Sequence, residues 1–502
     1  MWRSTIRKLP HYRSSISQPL KKQVSMSTAT NINMKTANEP LVIYQVKDTA
    51  RLVVLNRPEK LNALNTPMCK SMFDTLNEYS KSDLINLIIV KSSNFPRALC
   101  AGGDVAQVAQ NNLVGKFKDS TDVFTAEYSL NYLLATFNKP IVSIMDGITM
   151  GGGVGISIHS PFRISSEYTK WAMPEMDIGF FPDVGTSFAL PRVITLANSN
   201  CQMALYLCLT GDVIGGEDAY ILGLASHYVS HDNLTKLENR LGEIDVFQRG
   251  KNVDDGYSKD HNEMIYNMIN NTIEEYSENR FPDGYKFKFN DDQLDVIEQC
   301  FNIDNITSVE NIFHNLKTFE NGSIESRRFA TEVEAKLRKK SLTSMDIAIK
   351  LIQENSKDHI ESALRRDLYV AGNMCYDQSG VSEFSNATKY KLLDKAKTPY
   401  PWKQTNPLTK LQLNSFFSTK PSIPLNLWSN NINVTWKNYP YHLKYQLPTE
   451  KFIEEYIEKN LKESNNLEQD TINYFLNYNR FTKDKLGIKL LCQNVIRRKF
   501  RN

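Results

Sequence analysis

The stretch from Ile141 to Ile158 is the most apolar in the chain, yet its centre reads Asp146-Gly147-Ile148-Thr149-Met150-Gly151-Gly152-Gly153-Val154-Gly155. Asp146 and the glycines rule it out as a membrane-spanning helix, and no other run approaches about 18 uncharged apolar residues. A second, shorter cluster is Cys100-Ala101-Gly102-Gly103-Asp104. Both sit where a predicted strand hands over to a predicted helix. Glycine there lets a backbone N–H approach a ligand with no β-carbon in the way, and a helix start adds part of the helix dipole. Neither cluster has the dinucleotide Gly-x-Gly-x-x-Gly spacing or the Lys-Ser/Thr of a phosphate loop. Taken alone, both are also what tight-packing turns look like.

The flanking pattern argues for α/β layering. Strands are predicted at Leu41–Val46, Arg51–Asn56, Ile85–Val90 and Pro140–Met145. A helix between the second and third is expected to start with Thr66 as N-cap and Pro67 in its first turn, with Met68, Met72, Leu76 and Tyr79 on one side. A further helix carries Tyr128, Leu133 and Leu134. Beyond residue 230, helical spacing returns at Ile347–Ile352 and Ile360–Val370.

Downstream of the glycine clusters, Glu175 follows Pro174 in an apolar setting, and eight residues later Asp183 follows Pro182. Acids after proline are common helix caps. Two of them after two glycine clusters form a more specific constellation.

These strings resemble the crotonase (enoyl-CoA hydratase/isomerase) superfamily. The segment Ala101–Pro191 resembles its 3-hydroxyisobutyryl-CoA hydrolase branch, most specifically in 146–155, Ala172-Met173-Pro174-Glu175 and Phe181-Pro182-Asp183-Val184-Gly185. The resemblance implies a spiral of repeated ββα units with a helical C-terminal region. It also implies an oxyanion hole from the N–H groups of Gly103 and Gly152, and a CoA-binding loop at Lys60-Leu61-Asn62-Ala63-Leu64. Glu127, Gly152, Glu175 and Asp183 would meet the substrate, with Glu175 and Asp183 catalytic. One departure selects among activities. Hydratases of this fold carry a second glutamate two residues after the glycine triplet, where this chain has Gly155. Water addition to a double bond then loses a partner, while attack on a thioester carbonyl remains feasible.

The expected activity is hydrolysis of a short 3-hydroxyacyl-CoA, foremost 3-hydroxyisobutyryl-CoA of valine breakdown, with 3-hydroxypropionyl-CoA a second substrate. Glu175 would act as general base or nucleophile, and Asp183 would position or deprotonate water. No cofactor or metal is implied beyond the CoA of the substrate, and a homo-oligomer is compatible with the superfamily. Cys100 and His159 read as structural. Near residue 390 the family carries Glu-Gly and Arg before Leu-Ile-Asp-Lys; here Asn386, Ala387 and Lys389 precede Leu392, Leu393, Asp394 and Lys395.

The net charge of +4 divides unevenly: +6 over residues 1–40, −10 over 41–402 and +8 over 403–502. Residues 1–38 contain no acid and are rich in Arg and Ser, the composition of a mitochondrial presequence. The seven scattered cysteines suit a reducing compartment such as the mitochondrial matrix. The expected organisation is therefore a presequence (1–38), a catalytic core (39–235), a helical part (236–402) and a basic extension (403–502). Its closing Arg497, Arg498, Lys499 and Arg501 suggest an RNA contact. That makes a structural subunit of the small mitochondrial ribosomal particle the alternative function; an enoyl-CoA hydratase or isomerase is a weaker one.

Overall fold

The computed structural model describes residues 39–244, 259–319, 322–376, 381–419, 427 and 436–500; the expected presequence lies outside them. Ten strands form two sheets: β1 (Val42–Lys47), β2 (Ala50–Leu55), β3 (Leu87–Ser92), β4 (Ala98–Cys100), β5 (Ile141–Met145), β6 (Ile148–Met150), β7 (Phe162–Ser165), β8 (Lys170–Ala172), β9 (Ile214–Gly215) and β10 (His227–Tyr228). One sheet runs β1-β2-β3-β5-β7-β10 and the other β4-β6-β8-β9. From β3 to β8, consecutive strands therefore alternate between the sheets, with helical segments after each pair; β9 stays in the small sheet and β10 returns to the large one. This is the expected spiral of ββα units. Pairing is parallel from β2 to β10 and from β4 to β8; the β1–β2 hairpin and the β8–β9 contact are antiparallel.

The large sheet is covered on both faces, which explains its near-continuous Val/Ile/Leu runs. Alternate residues divide between two apolar layers. Val53, Leu55, Ile88, Val90, Ile141 and Met145 share one layer with Met72, Leu76 and Leu133. Leu52, Val54, Leu87, Ile89, Val142 and Ile144 face Leu237, Leu241, Ile269 and Ile273 on the helices His231–Gly242 and Lys259–Glu274.

Helix α1 (Thr66–Ser80) starts one residue earlier than its expected cap implies. Asn65 is the cap, its side chain accepting from the Met68 N–H at 3.0 Å, and Thr66 is already helical. Helices α2 (Val105–Leu113), α3 (Phe117–Ala135), α4 (Gly152–Ile158), α5 (Thr186–Val193) and α6 (Gln202–Thr210) complete the ββα turns. The predicted later helices are Leu342–Asn355 and Ile360–Cys375. Among the described residues no helix is long and apolar enough to cross a membrane.

Residues 40–502 form one compact unit. Helices Glu450–Asn460, Leu467–Asn477 and Ile488–Lys499 bury Ile453, Ile457, Phe475, Ile488, Leu491 and Val495. Of the closing basic residues, Arg497, Arg498 and Lys499 are paired with acids of the chain itself. Arg497 binds Asp291 at 2.8 Å; Arg498 is buried against Asp295 (2.9 Å), Glu298 (2.5 Å) and Glu450 (3.1 Å); Lys499 pairs with Glu298. The charge asymmetry along the chain is thus largely cancelled within the fold at this end.

Candidate active site

The two glycine clusters meet. A parallel bridge joins Leu64 to Gly103: the Leu64 N–H donates to Gly102 O (2.8 Å) and the Asp104 N–H to Leu64 O (2.7 Å). The bridge uses the groups flanking the Gly103 N–H and turns that N–H away from Leu64. Gly152 opens α4, so its N–H has no acceptor within the helix. A β-carbon on Gly153 would stand 2.2 Å from Cys100 O, and one on Gly152 would stand 3.1 Å from Gly103 N and 2.2 Å from Glu127 Oε1. Only glycine permits this approach, which brings the two N–H donors side by side beneath a carboxyl group.

Four acids line the same cavity of about 430 Å³, together with Phe124, Phe180, Pro174, Ile178 and Leu392: the exposed Asp177, paired with Lys340, and the buried Glu127, Glu175 and Asp183. Glu175 begins a single 3-10 turn after β8; its Oε1 faces Gly151, and its buried Oε2 has no hydrogen-bond partner. Glu127, on α3, is equally buried, with Oε1 unpartnered. Asp183 accepts a 2.6 Å hydrogen bond from the Tyr128 hydroxyl. The next residue, Val184, has φ +54°, a left-handed conformation that costs a β-branched residue about 1–3 kcal/mol. The loop is held nonetheless: His159 Nε2 bonds Val184 O at 2.8 Å, and the Gly185 N–H donates to Asp367 Oδ2 at 2.8 Å.

Burial pushes the Glu127 and Glu175 carboxyls well above the usual carboxylate range, and the nearby Asp183 adds to both shifts. Asp183 is pushed up to about 7 by burial, partly opposed by the Tyr128 hydrogen bond. A raised folded-state pKa gives stability that is full below pH 4 and is lost as pH rises through the folded value. The melting temperature is therefore expected to fall between pH 5 and pH 8. Asp183→Asn should flatten that fall and raise the pH 8 value by a few degrees; an unchanged slope in calorimetry would refute the assignment.

The model for enoyl-CoA hydratase/isomerase proteins matches residues 50–417. The chain belongs to the enoyl-CoA hydratase/isomerase family. It is 33% identical over 472 residues, 91% of this chain and 85% of the relative, to small ribosomal subunit protein mS47 of Neurospora crassa. It is 31% identical over 386 residues, 76% of this chain and 90% of the relative, to human mitochondrial 3-hydroxyisobutyryl-CoA hydrolase. The fold is shared with a carnitinyl-CoA dehydratase from Mycobacterium thermoresistibile, with a TM-score of 0.61 and 24% identity, covering 77% of this chain and 99% of that one.

Within this family frame, the position of the missing second glutamate is filled. A β-carbon on Gly155 would meet Val184 Cβ at 2.6 Å and Asn131 Nδ2 at 3.0 Å, so the loop carrying Asp183 occupies the space a longer side chain would need. The expected CoA loop is laced to the Cys100–Asp104 loop. Asn62 is buried, with Oδ1 accepting from the Arg57 N–H and Nδ2 donating to Ser92 and Leu99 O. Each backbone N–H from Leu61 to Leu64 is spent inside the protein, leaving lone pairs of carbonyl oxygens for a ligand. Cys100 is buried, and burial pushes its thiol up to about 12.

Sequence reasoning missed Tyr128 as the partner of Asp183, Asp367 as an anchor, and Lys391 and Leu392 as cavity lining. The last two fall in the segment where the chain departs from the family string, which nonetheless reaches the site as a π-helical turn, Lys389–Leu393.

Proposed function

We propose that this protein hydrolyses the thioester of a short 3-hydroxyacyl-CoA, foremost 3-hydroxyisobutyryl-CoA, giving the hydroxy acid and CoA in the mitochondrial matrix. The observation that carries the reading is the pairing of two backbone donors with Glu175 and Asp183 where Val184 closes the place of a second hydratase carboxylate. Attack on a thioester carbonyl places negative charge on oxygen, and the N–H groups of Gly103 and Gly152 oppose that cost; one such donor is typically worth about 3–4 kcal/mol of barrier. Glu175 either takes a proton from the attacking water or attacks the carbonyl itself to give an anhydride that water then opens. Asp183 aligns or deprotonates that water, and the CoA thiolate leaves and is protonated. Glu127 Oε1, without a protein partner, accepts the 3-hydroxyl of the acyl group. Backbone carbonyls of Lys60–Leu64 meet the adenine. Residues 39–235 carry these groups, and 236–402 cover them. The relatives named as mitochondrial and the acid-free residues 1–38 support the location.

A second reading, membership of the small mitochondrial ribosomal subunit, is favoured by one observation. The match to mS47 of Neurospora crassa takes in 91% of the chain and must include much of 403–502, whereas the matches to mS47 of Schizosaccharomyces pombe and to the human hydrolase each take in 76%. The two roles are compatible.

One preparation tests both. Free CoA release is measured across a thioester panel, and the protein is followed by sedimentation of mitochondrial lysate at low and high salt. A kcat/KM for 3-hydroxyisobutyryl-CoA at least ~10²-fold above isobutyryl-CoA is expected, because a site built to bond a hydroxyl rejects the analogue lacking it. Equal rates on the two acyl groups, or hydration of crotonyl-CoA in place of hydrolysis, would overturn the first reading. Absence from ribosomal fractions at every salt would remove the second.

A further inference from the structure

The family match ends at residue 417, yet a residue beyond it reaches the catalytic loop. Tyr439 is buried, and its hydroxyl lies 2.6 Å from His159 Nδ1; His159 Nε2 lies 2.8 Å from Val184 O. A carbonyl can only accept, so Nε2 carries the ring proton, Nδ1 is the acceptor, and the Tyr439 hydroxyl donates. The chain of bonds therefore runs in one direction, from the C-terminal segment to the carbonyl next to Asp183.

Val184 needs this support. Its positive φ is unfavourable for a β-branched side chain, and Gly185, also at positive φ, packs so closely that a β-carbon would stand 3.0 Å from His159 Cε1. The carboxyl of Asp183 is fixed from one side by Tyr128 and the Gly185 N–H from another by Asp367. His159 is the side chain that holds the Val184 carbonyl, while the Thr186 hydroxyl donates to Asp183 O at 2.7 Å and Asp367 holds the Gly185 N–H of the same peptide. Stacking of Tyr439 on His442 at 3.8 Å, with the His442 ring bonded to Ile158 O, holds the tyrosine in place. Burial lowers the His159 pKa to about 4, which keeps the ring neutral and its tautomer single.

We propose that Tyr439 and His159 are positioning residues for the hydrolysis reaction, so that the segment beyond the family match sets the geometry of Asp183. The inference rests on the hydrolase reading above. Its test uses the full chain with three variants, Tyr439→Phe, His159→Phe and, as a control in the same segment, Tyr441→Phe; Tyr441 stacks on Tyr266 and does not touch the loop.

The expected result is that Tyr439→Phe lowers kcat roughly tenfold, the worth of one hydrogen bond, at unchanged KM. His159→Phe should lower it further, and Tyr441→Phe should match wild type. Amide hydrogen exchange at residues 183–186, which needs no turnover, should quicken in Tyr439→Phe and stay at the wild-type rate in Tyr441→Phe. Wild-type kcat and exchange in Tyr439→Phe, or equal losses in Tyr439→Phe and Tyr441→Phe, would overturn the proposal. Quickened exchange in a protein that releases no CoA from any thioester would uphold the latch and sink the hydrolase reading instead.

Discussion

Glu175→Gln is expected to lower free CoA release by about 10²–10⁴-fold with KM nearly unchanged. The substitution keeps side-chain volume and removes only the ability to take a proton or attack a carbonyl. Glu175 is suited to being read this way because its Oε2 is buried with no partner in the protein, so the amide breaks no internal hydrogen bond there. The same residue is a burden on the fold: its carboxyl is held well above the usual range chiefly by burial. Removing the charge should therefore leave the variant at least as heat-stable as wild type at pH 8. Loss of turnover with retained stability separates a chemical role from a structural one. Wild-type-like turnover would end the assignment of Glu175, whatever the variant's melting temperature.

Arg498→Ala should be the most destabilising single change at the C-terminal end. The guanidinium is fully buried and joins Asp295, Glu298 and Glu450, and Glu450 itself is only 2% exposed. Taking the guanidinium away leaves Lys499 as the one remaining cation, among the described residues, on both Glu298 and the buried Glu450, a loss of up to about 3 kcal/mol. Arg497, half-exposed and paired only with Asp291 among the described acids, supplies the contrast; its alanine variant should cost less than about 1 kcal/mol. Urea denaturation of the two proteins checks the difference. Equal midpoints would mean that the Arg498 cluster contributes nothing beyond an exposed pair.

What could be read from the sequence was local chemistry. Gly103, Gly152, Glu175 and Asp183 lie in short strings that each alone read as a tight turn or a helix cap and only together resemble one family, and the strand–helix alternation around them follows from periodicity. The N-cap of α1 was misplaced by one residue because Asn65 and Thr66 are both good caps, and only the Met68 hydrogen bond distinguishes them. Partnerships across long separations left no trace. Tyr128 looked like one more residue on an apolar helix face, and nothing near Asp367 or Tyr439 in the chain points to residues 183–185. The internal partners of the basic C-terminal helix were not legible for the same reason. Net charge by segment is additive along the chain, but neutralisation depends on which helix lies opposite, and here it is Asp291–Cys300.

That pairing has a consequence for how the chain becomes a protein. Arg498 and Asp295 are 203 positions apart, so the carboxylates of the earlier helix stay unmatched until the helix at 488–499 has arrived. Contacts of such separation are slow to form. A chain that is still being synthesised or threaded through a membrane pore would hold its catalytic loop without the Tyr439 latch and its acidic helix without a counter-charge. A stop codon a few residues before 498 would leave Asp295 and Glu298 without these counter-charges and should make the chain more protease-sensitive.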